Sequence, residues 1–372
     1  MRIVVAPDSF KGTIGAAEAA AELAAGWRSG RPGDAVTCVP LADGGEGTLE
    51  VLAAAWPAAR WHRATARGPR DGTVDSCWLE LPGGTGVVEL ARTSGLPLLA
   101  SPDPLRAHSA GAGDLAGRAL DAGASTLVIA LGGSACTDGG TGALAALGAR
   151  FLDAGGRELP PGGGFLAELA TVDLAGLRPP PEGGVTCLTD VGAPLLGPRG
   201  AAAAFGPQKG AGPRQVAVLE AGLARLAELL GGVPGAAGAG AAGGAGYGLA
   251  AAWGARFAPG AAELCRISGL DAALRGVDLV ITGEGRFDAT SADGKVPAAV
   301  IAAAARAGAA AALVAGVMAA APPAGVMRAV SLAGLAGGTG AAISDPRRWL
   351  RQAGRLLALE LGAGAEDPGP SI

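Results

Sequence analysis

The sequence predicts an α/β protein in which a parallel-sheet layer is interrupted by an inserted domain with a mixed sheet. Three observations carry that expectation. Short apolar runs alternate with Ala-rich helical stretches at both ends of the chain, a Gly-punctuated alternating region follows residue 65, and several runs end on Gly-flanked acidic loops. With 372 residues, 49% of them apolar, the chain can bury the core of one large or two ordinary domains.

Residues 2–6 read as a strand closed by Pro7, and 15–27 as a helix ending before Gly30. Residues 35–40 repeat the strand signal, and the loop Ala42-Asp43-Gly44-Gly45-Glu46-Gly47 leads into a helix over 48–56. Two such units in succession indicate a parallel sheet, whose ligand crevice lies beyond the carboxyl ends of its strands. From 65 to 90 the alternation suits antiparallel strands. Strands follow at 126–131, running into Gly132-Gly133-Ser134, and at 186–190, ending on Asp190, with helices at 213–230 and 241–252. The last third returns to a strand–helix rhythm: strand 277–282, helix 297–307, strand 311–315 and helix 346–361. The expected division is a discontinuous Rossmann-like domain, 1–64 plus 270–372, and an inserted α/β domain, 65–269.

Composition excludes several classes. The 29 basic against 33 acidic residues leave a net charge of −4, no basis for gripping nucleic acid or an anionic membrane. The most membrane-like stretch, 307–321, is mostly Ala and Gly and falls short of the ~18–20 strongly apolar residues a span requires. Asp8 arrives too early for a signal peptide, so a cytoplasmic location is expected. Cys38, Cys77, Cys136, Cys187 and Cys265 form no C-x-x-C and speak for a reducing compartment. His62 and His108 are the only histidines, which rules out a histidine-rich metal centre.

The chain has no Asn and three lysines against 26 arginines. Lys11, Lys209 and Lys295 each stand beside a glycine, where a compact ammonium can approach phosphate in a way a forked guanidinium cannot. The Gly-x-Gly-x-x-Gly at Gly238, Gly240 and Gly243 is no fingerprint, because 66 glycines produce roughly two such matches by chance. By composition, 231–248 would also suit a linker.

Five polar loops carry the chemistry: 6–12, 42–48, 132–140, 188–191 and 281–288. Each sets a carboxylate at or just past a strand end, where it either marks a turn or joins a site. Acids converging with Lys and glycine amides are what phosphoryl transfer needs, since carboxylates take Mg²⁺, backbone N–H groups hold phosphate and Lys neutralises growing charge.

Ala6-Pro7-Asp8-Ser9-Phe10-Lys11, Ala42 through Thr48, Gly132-Gly133-Ser134 with Asp138-Gly139-Gly140, Phe205-Gly206-Pro207-Gln208-Lys209-Gly210-Ala211, the glycine stretch from Pro234, and Ile281 through Asp288 with Gly294-Lys295-Val296-Pro297 together resemble the bacterial type-1 glycerate kinase family. The resemblance runs in order from residue 1 to about 360. It implies ATP- and Mg²⁺-dependent phosphorylation of D-glycerate to 2-phosphoglycerate on two α/β domains with the site in the cleft between them. On this resemblance Asp190 accepts the hydroxyl proton and Lys11 and Lys295 are phosphate-side cations. Asp8, Ser9, Asp43, Ser109, Ser134 and Arg286 contact substrate, with a surface salt bridge as the other reading of Arg286. Gly238, Gly240, Gly243, Gly244 and Lys209 serve the nucleotide, and Glu46, Glu284 and Asp288 the metal, Asp8, Asp43 and Asp190 being further candidates near it. His108 is either a ligand or an ordinary surface residue. The chain departs from the family pattern at Cys136-Thr137, at Asp190-Val191-Gly192-Ala193 and at His108 through Gly113, where Asn and Thr contacts are expected. Those departures keep two other readings open: a kinase for another small hydroxy acid, or a weak relative that only binds ligand. A homo-oligomer is also left open.

Overall fold

The computed structural model describes residues 1–289, 291 and 295–362. Gly294 of the Gly-Lys-Val-Pro motif and everything after 362 lie outside the described residues. The chain opens with β1 (Arg2–Val5), α1 (Ala16–Gly30), β2 (Ala35–Cys38) and α2 (Thr48–Ala55). It continues through β3 (Arg60–Arg67), β4 (Thr73–Leu81), β5 (Thr85–Glu89), α3 (Ala110–Asp121), β6 (Thr126–Ala130) and α4 (Thr141–Ala146). Then come the hairpin β7 (Arg150–Leu152) and β8 (Thr171–Asp173), β9 (Val185–Leu188), α5 (Pro213–Leu230), α6 (Ala245–Trp253) and β10 (Arg256–Ala258). It closes with β11 (Leu279–Phe287), α7 (Val296–Ala307), β12 (Ala310–Met318), β13 (Val326–Ser331) and α8 (Pro346–Gly362).

Two compact units result. The first comprises Met1–Asp43, Glu50–Ala55 and the chain from Ala261; the second comprises Gly44–Leu49 and Trp56–Gly260. The expected domain ends, 64/65 and 269/270, fall several residues further along than the divisions of these units.

The first unit holds a fully parallel sheet in the order β13-β12-β11-β1-β2. Counted within the unit, this is the doubly wound order 2-1-3-4-5, and its switch point lies between β1 and β11. Side chains alternate between two buried faces: Ile3, Val5, Leu279 and Ile281 pack with α1 and α8, while Val4 and Val280 pack with Val300 and Ala304 of α7. Burial on both faces is why these strands read as continuous apolar runs. α1 and α8 approach closely because Gly26 and Gly354 lack side chains; a Cβ on either would stand 2.0 or 2.2 Å from a backbone oxygen of the other helix.

The second unit is a six-stranded mixed sheet, β10-β9-β6-β5-β4-β3, antiparallel at β3–β4–β5 and parallel from β5 to β10. Its core gathers Leu127, Ile129, Leu144, Leu219, Leu223 and Tyr247. His62 stacks on Trp78 at 4.0 Å and meets Glu80 at 2.6 Å.

Two sequence expectations need correction. The helix expected over 241–252 starts only at Ala245, because Ala242, Gly243 and Gly244 have φ of 52°, 64° and 87°. The strand expected at 277–282 instead covers Leu279–Phe287, so Glu284, Gly285 and Arg286 belong to β11 rather than to a loop. Among the described residues no helix is long and apolar enough to cross a membrane.

Candidate active site

β11 is paired on one side with β1 only through Ile281, whereas on the other it follows β12 as far as Phe287. The chain leaving β1 extends that ladder by two bonds, Ala6 N–H to Ile281 O and Asp8 N–H to Gly283 O, both 2.8 Å. Thr282 Oγ1 also donates to Ala6 O at 2.9 Å. Beyond Gly283 the β1 side of β11 has no strand partner among the described residues, which opens a crevice at the switch point lined by Asp8 and Glu284. Phe10 is buried and exchanges backbone hydrogen bonds with Ile14, anchoring the Asp8–Lys11 loop at that place.

A cavity of about 330 Å³ occupies the crevice, lined on its charged side by Asp8, Lys11, Glu284, Arg286, Asp288 and Lys295. Asp8 is 3% exposed and accepts the Ser9 N–H at 2.6 Å. Burial, and next the Asp43 charge, push its carboxyl up to about 7. Lys11 Nζ meets Asp43 Oδ2 at 2.9 Å. Burial by itself would lower the Lys11 ammonium, but the carboxylates of Asp43 and Asp8 outweigh it and raise the group. Burial also raises Glu284, opposed by a hydrogen bond from Ser291 and the charge of Lys295. Glu284 is 6% exposed, and its Oε1 has no hydrogen-bond partner among the described residues. Lys295 stands at the N-cap of α7, followed by Val296 and Pro297, so its ammonium accompanies a helix end that favours anions. Arg286 Nε lies 3.8 Å from Asp288 Oδ2, with the Arg286 side chain largely open to solvent and Asp288 half-buried. The structure thus brings together Asp8, Ser9, Lys11, Glu284, Arg286, Asp288 and Lys295, with Asp43 bound through Lys11.

The remaining sequence candidates belong to the second unit. Asp190 follows β9, half-buried, and Glu46 is exposed in the loop before α2. That loop is fixed by Gly132 N–H donating to Gly44 O at 3.1 Å, and by the buried Glu89, which accepts the N–H groups of Gly47 and Leu49. Glu89 was not singled out from the sequence, although 86–89 carries the same signal, an apolar strand ending on an acid.

Several expected ligand contacts point inward. Ser109 is fully buried; its Oγ donates to Asp138 Oδ2 at 2.8 Å and accepts Ala143 N–H. Asp138 also takes the N–H groups of Ser109, Gly140 and Gly142, so its carboxylate is saturated by its own chain. Lys209 is 3% exposed, donating to Ser134 Oγ at 3.0 Å and Cys136 O at 2.5 Å, and burial lowers its ammonium. Gly238, Gly240, Gly243 and Gly244 are buried too. A Cβ at Gly243 would sit 2.1 Å from Cys136 O, and one at Gly240 2.3 Å from Pro194 O. The close approach these glycines permit is to the unit's own backbone. Thr137 is fully buried with no partner for its hydroxyl among the described residues, and His108 is buried with Nε2 2.8 Å from Arg70 O, so neither is a surface residue. Among the described residues no three His, Cys, Asp or Glu side chains group as metal ligands.

A parallel sheet whose switch point faces lysines and buried carboxylates into one cavity defines an enzyme that handles small anionic ligands. The chain belongs to the glycerate kinase family, whose model matches residues 3–361. It is 40% identical over 315 residues to a glycerate kinase of Bacillus subtilis (strain 168), covering 82% of each chain. It is 39% identical over 312 residues to the glycerate 2-kinase of Escherichia coli (strain K12), covering 81% of each. A solved structure described as a glycerate kinase 2 from Salmonella typhimurium LT2 superposes with a TM-score of 0.83 at 36% identity, over 99% of this chain and 100% of that one. The chain is therefore a kinase, and its family implies ATP and glycerate as small-molecule partners.

Proposed function

We propose that this protein phosphorylates the 2-hydroxyl of D-glycerate with ATP and Mg²⁺, in the cytoplasm. The observation that carries the proposal is the switch-point cluster of Asp8, Lys11, Glu284 and Lys295 around one cavity. Two ammonium groups and the N-terminus of α7 suit the charge that grows on a transferring phosphoryl group, which positioned cations stabilise without reorganising. We assign Glu284 to the Mg²⁺ ion, which when bound neutralises phosphate charge; the buried Oε1 lacking a hydrogen-bond partner fits a role as one ligand. Mg²⁺ ordinarily takes one or two carboxylates and completes its shell with phosphates and water. Glu46 and Asp288 remain in the proposal as further acidic groups for that ion, and Arg286 and Ser9 as contacts for the acceptor carboxylate.

Asp190, at the carboxyl end of β9, is the proposed acceptor of the hydroxyl proton. Asp8 is a second reading for that role, favoured by one observation: its carboxyl is held at about 7, where a general base works best near neutral pH. The test is phosphorus NMR of the product from D-glycerate and ATP. A 2-phosphoglycerate resonance is expected; a 3-phosphoglycerate resonance, or no product, would contradict the proposal.

A further inference from the structure

The switch-point cavity is divided by chemistry. Besides its charged groups the lining is apolar: Val317 at the end of β12, Leu332, and Ala342, Ile343 and Pro346 around the short helix Thr339–Ser344. Ser9, Thr13 and Thr339 carry the hydroxyls on the cavity wall. D-glycerate has seven non-hydrogen atoms, every carbon bearing oxygen, and nothing to bury against such a wall. A ligand that is anionic at one end and flat and apolar at the other matches both halves.

Resting on the kinase reading, we propose that this cavity is the nucleotide site of the first unit, with the purine against Leu332, Ala342 and Ile343 and the phosphates towards Lys11 and Lys295. Three observations support the orientation. The N-terminus of the twelve-residue helix α7 lies at the charged end with Lys295 as its N-cap, and helix ends bind phosphate. The nine-tenths-buried Glu284, with an Oε1 that no described residue pairs, lines the same end. Lastly, the glycine stretch and Lys209, the sequence's nucleotide candidates, are engaged with their own backbone in the second unit.

Ile343 is 55% exposed, so Ile343→Gln removes apolar contact without disturbing the core, and Ala342→Phe fills the pocket. Calorimetry with ADP alone should show binding to the wild type, weakened about fivefold or more in each variant. Inorganic tripolyphosphate should bind Ile343→Gln as it binds wild type. KM for ATP should rise in Ile343→Gln with KM for D-glycerate unchanged. Unchanged ADP affinity in folded Ile343→Gln and Ala342→Phe, absence of ADP binding to wild type, or a rise confined to KM for D-glycerate would each overturn the assignment. The kinase reading fails separately: ADP binding that both variants weaken, in a protein that phosphorylates no D-glycerate, would sink that reading and leave the nucleotide site standing.

Discussion

Asp8 and Asp138 are both buried carboxylates in Gly-flanked loops after parallel strands, yet their surroundings are opposite. Asp138 is met by four donors of its own chain, from Ser109, Gly140 and Gly142. Asp8 accepts the Ser9 N–H, lines the cavity and feels the charges of Asp43 and Glu284. The lysines divide in the same way: Lys209 is consumed by Ser134 and Cys136, whereas Lys11 and Lys295 line the cavity. One loop vocabulary therefore builds a structural knot in the second unit and a reactive surface in the first. Burying a polar group without a partner costs stability, and the first unit bears that cost where a ligand can supply the partner.

The largest expected effect breaks the knot. Asp138→Ala strands buried N–H groups and should cost about 3–5 kcal/mol in urea unfolding, enough to make the protein poorly folded at 37 °C. Lys11→Met and Lys295→Met should lower kcat/KM for D-glycerate by about 10²-fold, roughly 3 kcal/mol, with melting temperatures near wild type. Full activity in the two Lys→Arg variants would remove the argument drawn from lysine scarcity.

Next in size is a pH effect with a defined sign. Folded Asp8 keeps its proton up to about 7, while the unfolded carboxyl releases it near its ordinary value of 3.8. Between those values the native state binds more protons, so this group's contribution to stability falls as pH rises from about 4 to 7 and is flat beyond. In Asp8→Asn that slope should vanish from urea midpoints taken across pH 4–8, and if Asp8 is the base, the acidic limb of kcat/KM near pH 7 should vanish as well.

Gly243→Ala sharpens the comparison on the glycine side. The Cβ must displace Cys136 O, so a stability loss of about 2 kcal/mol is expected, with ADP affinity of the folded fraction unchanged. A loss of ADP affinity at unchanged stability would return the stretch to the nucleotide. The smallest effect is Ala193→Asn, which restores an amide on a half-buried loop and should lower KM for D-glycerate by no more than ~0.5–1.5 kcal/mol of one hydrogen bond.

The alternation of apolar runs and Ala-rich stretches made the parallel sheet legible in the sequence, because its strands are buried on both faces. β13 escaped notice because its register breaks at Ala311/Ala312 of β12 and all its residues but Val330 are exposed or half-buried. The acids at strand ends were legible as a set. Which of them face a cavity was not, since that depends on β11 outrunning β1, a length difference no local pattern records. Lys209 was read as a ligand contact because an ammonium beside a glycine can approach phosphate, and Ser109 on the family resemblance; in the structure both are engaged, Lys209 by Ser134 and Cys136 and Ser109 by Asp138 and Ala143. Thr137 shows the same, a motif position that the fold turned inward.

Urea unfolding of Asp8→Asn and Asp138→Asn at pH 8 tests the contrast most directly. At that pH Asp8 is ionised and buried, so the neutral amide should stabilise the protein by about 2 kcal/mol or more, within the ~4 kcal/mol that the rise to about 7 represents. The same change at Asp138 turns an acceptor that serves four donors into a donor facing donors and should destabilise by about 3 kcal/mol. Shifts of opposite sign are the predicted result. Destabilisation of similar size in both would mean that Asp8, too, is satisfied within the fold, and would contradict the account.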